Sequence, residues 1–343
     1  MLDDVNVIKQ RDPQDALGFT AKQPEQLAHD FGLAGTAQFK EIKNVVFAGM
    51  GGSSLVAELA HTWPALNVPF VVSKEYRLPK FVGPDTLVIA ASYSGNTEET
   101  LEALDEARAK GAQVATIAHG GKLVERAHEH GDPLAVIPEC TQPRTGVLYM
   151  YRALVEILVA AKLVAPTAIA ELEALIAPLE QAANAWKADM PEAHNTAKQL
   201  AQELAGKTPI IYGGPLTYPA AYKWKIDVNE NAKNTAWSNF FPELNHNEFI
   251  GWSSHPVEKP FAVVDLISSY EHPRVLKRFD VTDRLLSGLR PAAIRVEAKG
   301  GSVLEHLLYL VLLGDFATTY MALLNGVNPT PVDLVEKFKK ELG

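Results

Sequence analysis

Cysteine is almost missing. Cys140 is the only one in 343 residues, so no internal disulfide can form, and a lone thiol suits a reducing cytoplasm. Positive charge is also in deficit, with 32 Lys and Arg against 41 Asp and Glu, a net charge of −9. With no Lys/Arg cluster either, the chain is not expected to bind nucleic acid or an anionic lipid surface, although a small anion can still meet a locally cationic site. No apolar run reaches the ~20 residues of a membrane span. The most apolar run, Leu307 to Leu313, is followed by Gly314-Asp315. The opening residues Met1-Leu2-Asp3-Asp4 are acidic and lack the apolar core of a secretory signal. The expectation is a soluble cytoplasmic protein with no membrane partner.

What is present is globular: 47% apolar and 21% charged residues, enough for about two domains at ~150 residues each. Short apolar runs at Val45–Gly49, Phe70–Ser73, Leu87–Ser92, Val114–Ala118 and Leu134–Ile137 read as strands apolar on both faces. Helical patterns at Ser54–Ala60, Glu98–Lys110 and Leu123–Glu129 alternate with them, which predicts a doubly wound parallel sheet. A helical stretch from Val147 to Ala185, broken near Pro166 and Pro178, leads to a second α/β pattern. There the predicted strands are Pro209–Tyr212, Ala262–Leu266 and Ala293–Val296, and the predicted helices Tyr218–Lys233, Val275–Leu289, Leu304–Leu324 and Asp333–Leu342. Val45-Val46-Phe47-Ala48-Gly49 and Ile210-Ile211-Tyr212-Gly213-Gly214 both run from apolar strand to glycine before a helix, a short hint of two related halves.

Two turns could carry chemistry. Gly49-Met50-Gly51-Gly52-Ser53-Ser54 follows a strand and opens a helix, where glycines let backbone N–H groups approach an anion and the helix dipole favours it. A dinucleotide fingerprint would want a third glycine where Ser54 stands, so a nicotinamide enzyme is an incomplete match and a plain tight turn fits equally well. The second turn, Ser92-Tyr93-Ser94-Gly95-Asn96-Thr97, crowds three hydroxyls onto a strand-to-helix junction. Ordinary N-capping needs one hydroxyl, whereas a phosphate monoester has use for several.

This loop resembles that of the sugar isomerase (SIS) domain, in which strand–Ser-x-Ser-Gly-x-Thr–helix holds the phosphate of a sugar phosphate. Gln142-Pro143-Arg144, Trp224-Lys225, Asn229-Glu230-Asn231-Ala232-Lys233 and Pro242-Glu243-Leu244-Asn245-His246-Asn247-Glu248 resemble the bifunctional phosphoglucose/phosphomannose isomerase family over essentially the whole chain. The resemblance implies an α/β fold of two doubly wound SIS-type subdomains, residues 1–163 and 164–343, each a parallel sheet flanked by helices. It also implies an aldose–ketose isomerase that converts glucose 6-phosphate, and mannose 6-phosphate, to fructose 6-phosphate through a cis-enediol. No metal or cofactor is expected. The alternatives are a non-catalytic sugar-phosphate sensor and an isomerase of another sugar or amino-sugar phosphate.

Such a reaction needs a base between C1 and C2, a cation for the enediolate oxygen, and an acid/base pair to open the ring. Glu230 suits the base, with Tyr222 and Ile226 on its helical face; a solvated glutamate is the plain alternative. The resemblance assigns the enediolate to Arg144, which would otherwise read as a surface arginine. It gives ring opening to His246, in a polar loop, reaching the site from the neighbouring subunit of a homodimer. In the last helix Lys339 shares a face with Val332, Val335 and Leu342, so it is expected to turn inward, and the family places a catalytic lysine there. Gly51, Gly52, Ser53, Ser92, Ser94 and Thr97 are the expected phosphate contacts. A small hydroxyl residue is expected near the start of that last helix in members acting on both sugars, and here Val332 holds the position, with Thr330 two residues before it. His128 and His130 read as a solvated helix end.

Overall fold

The computed structural model describes residues 1–254 and 260–342. They form two compact units: Lys22–Pro178, and Met1–Ala21 together with Leu179–Gly343.

The Lys22–Pro178 unit is built on five parallel strands, β1 (Asn44–Gly49), β2 (Phe70–Ser73), β3 (Thr86–Ser92), β4 (Gln113–Ala118) and β5 (Leu134–Val136), in the order β2-β1-β3-β4-β5. β3 is buried along its whole length, because helices cover both faces of the sheet and its apolar run leaves no solvent side. Leu101 and Leu104 of the Glu98–Ala109 helix join Val46, Val88 and Ala90 in one buried cluster. The strand order reverses between β1 and β3, which opens a crevice beyond their C-terminal ends. Gly49 stands opposite Ala91, so the glycine turn and the serine loop leave the sheet side by side.

The other unit carries four parallel strands, β6 (Thr208–Gly213), β7 (Trp237–Phe240), β8 (Phe261–Ile267) and β9 (Ile294–Glu297), in the order β7-β6-β8-β9. The same reversal occurs between β6 and β8. Sequence reading had not anticipated β7: it is an edge strand with an exposed Trp237 and no continuous apolar run. The Tyr218–Glu230 and Val303–Leu324 helices are bolted together inside this unit. Lys223 donates to Asp227 at 2.7 Å and to Asp315, all three buried, and the Trp224 indole N–H donates to Leu310 O at 2.7 Å.

One sequence expectation holds here and one changes. The helix predicted over Leu304–Leu324 runs unbroken through Gly314-Asp315, from Val303 to Leu324. Gly314 makes room for Trp224, whose Nε1 would lie 2.2 Å from an added Cβ, and Asp315 is matched by Lys223. Among the described residues Val303–Leu324 is the one helix long and apolar enough to cross a membrane, and 89% of its most apolar stretch is buried inside the protein. The last helix, Asp333–Leu342, was expected to turn Lys339 inward, yet none of its residues is buried. Its apolar stripe is open, with Leu334 81%, Phe338 63% and Leu342 66% exposed, and Lys339 Nζ pairs with Glu336 at 2.8 Å.

Asp265 in β8 is 1% exposed, and neither carboxylate oxygen has a hydrogen-bond partner among the described residues. Burial pushes its pKa up to about 7; Arg290 and Arg295 pull it down, and Asp283 and Asp280 push it up. The folded value lies above the unfolded one, so the stabilisation is complete below about pH 4 and is lost as pH rises through about 7. Asp265→Asn should therefore flatten the pH dependence of stability between pH 4 and 8, by up to about 4 kcal/mol. Urea unfolding at several pH values checks this, and an unchanged slope would remove Asp265 as its source.

Candidate active site

In the serine loop the Ser92 hydroxyl meets the other two. Ser92 Oγ lies 2.7 Å from Thr97 Oγ1 and 3.4 Å from Ser94 Oγ. Thr97 holds the N-cap position of the Glu98–Ala109 helix, yet its side chain makes no cap bond. Its hydroxyl turns to Ser92 instead, so ordinary capping does not account for the motif. The loop is shaped by Gly95, at φ +68°, whose N–H donates to Ser92 Oγ at 3.2 Å and whose carbonyl accepts from Leu123 N at 2.9 Å. Ser92 is buried and Ser94 exposed, so the cup opens outward.

The glycine turn lies against this cup. Ser53 Oγ accepts the Tyr93 N–H at 3.1 Å. Gly51 is at φ +50°, and Ser54 Oγ donates to Gly51 O at 2.9 Å, so the residue in the third-glycine position of the dinucleotide pattern serves to hold the turn. A Cβ on Gly52 would lie 3.4 Å from Arg144 N. Arg144 itself is 3% exposed, in a short turn, Pro143–Gly146, closed by a reciprocal Gln142–Thr145 capping box. The surface-arginine reading is thereby excluded. The Lys22–Pro178 unit thus brings Gly52, Ser53, Ser92, Ser94, Thr97 and Arg144 together around the β1/β3 crevice.

The remaining predicted catalytic residues, Glu230, His246 and Lys339, lie in the other unit. Glu230 ends the Tyr218–Glu230 helix, half-buried, with Ile226 buried on the same face. Lys233, a non-glycine residue at φ +52°, donates its ammonium to Glu230 O at 2.6 Å and to Pro329 O at 3.1 Å. The turn after Glu230 is thus tied to the segment that precedes the last helix. In that segment Thr330 is buried and Val332 half-buried. His246 is exposed at the end of the Glu243–His246 turn. Its neighbour Asn245 anchors the turn, donating to Thr282 Oγ1 at 2.8 Å and accepting from Arg278 at 3.0 Å. His128 and His130 lie exposed at the end of the Gly121–His130 helix.

The crevice between β6 and β8 is filled from within. Glu271 Oε1 accepts the N–H groups of Leu216 at 2.8 Å and Thr217 at 3.3 Å, just ahead of the Tyr218–Glu230 helix. Gly214 leaves the space, since a Cβ there would fall 2.3 Å from the same oxygen. Burial pushes Glu271 up to about 7, against those two hydrogen bonds. Sequence reading missed this residue, because an acid a few positions past a strand looks like an ordinary surface residue.

A doubly wound fold with a hydroxyl cup at the first switch point defines a SIS-domain protein. The SIS domain family matches residues 38–130, and the bacterial phospho-glucose isomerase C-terminal SIS domain family matches residues 193–342. A glucose-6-phosphate isomerase like protein from Thermus thermophilus shares the fold at a TM-score of 0.65, with 19% identity, covering 99% of this chain and 98% of that one. Among curated relatives, the bifunctional phosphoglucose/phosphomannose isomerase of Aquifex aeolicus is 35% identical over 88% of this chain and 90% of its own length. That of Caldicellulosiruptor bescii is 36% identical over 93% and 96%. The chain belongs to the bifunctional phosphoglucose/phosphomannose isomerase family.

Proposed function

We propose that the chain isomerises glucose 6-phosphate and mannose 6-phosphate to fructose 6-phosphate through a cis-enediol, as the names of its relatives indicate for them. The observation that carries this reading is the cluster of three hydroxyls around Ser92, at a helix start without a side-chain cap, beside the buried Arg144 turn. The cup, with Gly51, Gly52 and Ser53, takes the phosphate, which does not react. Glu230 removes the C2 proton of the aldose and returns it to C1, while Arg144 balances the charge on the enediolate oxygen. His246 and Lys339 open the ring, His246 from the neighbouring subunit of a homodimer. The Lys22–Pro178 unit and the unit of Met1–Ala21 with Leu179–Gly343 carry the two SIS halves, expected at residues 1–163 and 164–343, and the enzyme works in the cytoplasm in glycolysis and gluconeogenesis.

Contacts to a group that does not react act alike on substrate and transition state. Ser94→Ala combined with Thr97→Ala should therefore raise KM at least tenfold and change kcat little. The assay couples fructose 6-phosphate formed from each aldose 6-phosphate to a dehydrogenase. A collapse of kcat at constant KM would remove the cup from phosphate binding, and no product from either sugar would remove the function.

A further inference from the structure

We propose that Tyr93 is a positioning residue for the isomerisation, a strut that fixes the distance between the phosphate cup and the Arg144 turn. The inference rests on the proposed roles of that cup and of Arg144.

Tyr93 stands inside the serine loop, between Ser92 and Ser94, but its side chain turns away from the hydroxyl cluster toward the arginine segment. The phenol oxygen meets a single residue twice: it accepts the Cys140 N–H at 2.6 Å and donates to Cys140 O at 3.2 Å. Cys140 lies four positions before Arg144. The other attachments of Tyr93 hold it in the cup. Its own N–H donates to Ser53 Oγ at 3.1 Å, its carbonyl accepts from His119 N at 2.9 Å, and its ring stacks on the His119 imidazole at 5.1 Å and 9°. Tyr93 therefore touches the glycine turn, the loop after β4 and the arginine segment while belonging to the serine loop itself.

The far end of the arginine turn is held separately. Gln26 Nε2 donates to Thr145 O at 2.7 Å, and Gln26 Oε1 accepts from Tyr149 N at 3.2 Å. Between these two anchors, Thr141 and Thr145 hydroxyls lie 3.2 Å apart and the capping box closes the turn. The two-way contact with Cys140 needs a phenol that keeps its proton, and burial pushes Tyr93 up to about 12, so it stays protonated at any working pH.

A hexose phosphate holds its phosphate and its reacting C1–C2 pair at opposite ends. A protein that grips the first end must set the cation for the second at a fixed separation, because small misplacements cost large factors in rate. A strut between the two grips changes where the transition-state charge meets the guanidinium and leaves the phosphate grip as it was. That is a kcat effect, distinct from the KM effect of the cup hydroxyls.

The test is Tyr93→Phe, which keeps the ring stack and backbone bonds and loses only the two hydroxyl contacts. We expect kcat to fall about tenfold or more, with KM for glucose 6-phosphate and the inhibition constant of inorganic phosphate within about twofold of wild type. A kcat within twofold of wild type overturns the proposal. So does a KM that rises as phosphate affinity falls, since that would make Tyr93 part of the cup. Gln26→Ala frees the other anchor of the same turn and should give the same loss of kcat at constant KM; it carries the test alone if Tyr93→Phe does not fold, and an unchanged kcat there overturns the proposal. Inorganic phosphate binding to the Ser94→Ala, Thr97→Ala protein separates the two levels. If phosphate still binds there with wild-type affinity, the cup reading fails. If that binding is lost and Tyr93→Phe keeps its kcat, only the strut fails.

Discussion

Glu230→Gln should lower the isomerisation rate by about 10²–10⁴-fold, the usual contribution of a general base, while substrate affinity and fold persist. The amide matches the carboxylate in size, so the helix and its tie to Lys233 through the backbone carbonyl are kept. It cannot accept the C2 proton. The sensitive measurement is exchange of that proton with deuterated water, followed by NMR, because it reports the base step apart from ring opening. Exchange at the wild-type rate in the variant would exclude Glu230 as the base. The same variant tests the dimer. Mixed with His246→Ala subunits under random exchange, it should restore about a quarter of the wild-type rate, since half the dimers are mixed and each has one intact site of two. No return of activity, with exchange demonstrated separately, would place both groups in one chain's site.

Gly95→Ala should abolish substrate binding at ordinary concentrations, raising KM more than about a hundredfold. At φ +68° an L-residue bears a backbone penalty of roughly 1–2 kcal/mol. The larger effect is steric: the new Cβ would lie 1.7 Å from Gly120 O. Gly121, at φ +69°, is close on the other side, where a Cβ would lie 2.5 Å from Ser94 O. At Gly95 the clash is with peptide backbone alone, with no flexible side chain to give way, so the serine loop must move and its hydroxyls must separate. Gly111→Ala is the control. It has φ +71°, but its Cβ would meet nothing nearer than Pro84 at 3.8 Å, so it should lose a little stability and keep its KM. Titration with inorganic phosphate and thermal unfolding together decide the matter, and a wild-type KM in Gly95→Ala would show that the loop does not bind phosphate.

The strands of the first sheet were legible because each is a short apolar run between turn residues, and in the central β1, β3 and β4 burial on both faces leaves no ambiguity of side. β7 was not, since an edge strand such as Trp237–Phe240 mixes polar and apolar residues and is recognised only by its partner β6. The cup was legible because its hydroxyls sit at fixed offsets in one strand-to-helix junction. Whether Thr97 caps the helix or faces Ser92 depends on side-chain rotation, which no spacing encodes. The burial of Arg144 and the reach of Tyr93 to Cys140 depend on segments about fifty residues apart in sequence. At the C-terminus the periodicity located the helix, Asp333–Leu342, but the face expected to turn inward, that of Val332, Val335, Lys339 and Leu342, is not buried along the helix. Amphipathicity says which residues share a face but not what covers it, and within this chain Leu334, Phe338 and Leu342 remain exposed.

The Tyr218–Glu230 helix is a beam on three supports. Glu271 clasps the backbone just ahead of its first turn, the Lys223 ion triad and the Trp224 indole pin its middle, and Asn231 and Lys233 fasten its far end to Thr318 and Pro329. A beam held at both ends and at mid-span can neither slide along its axis nor roll about it. The play left to the Glu230 carboxylate is therefore the rotation of its own side-chain bonds. With Glu230 as the proposed base, any larger adjustment falls to the substrate.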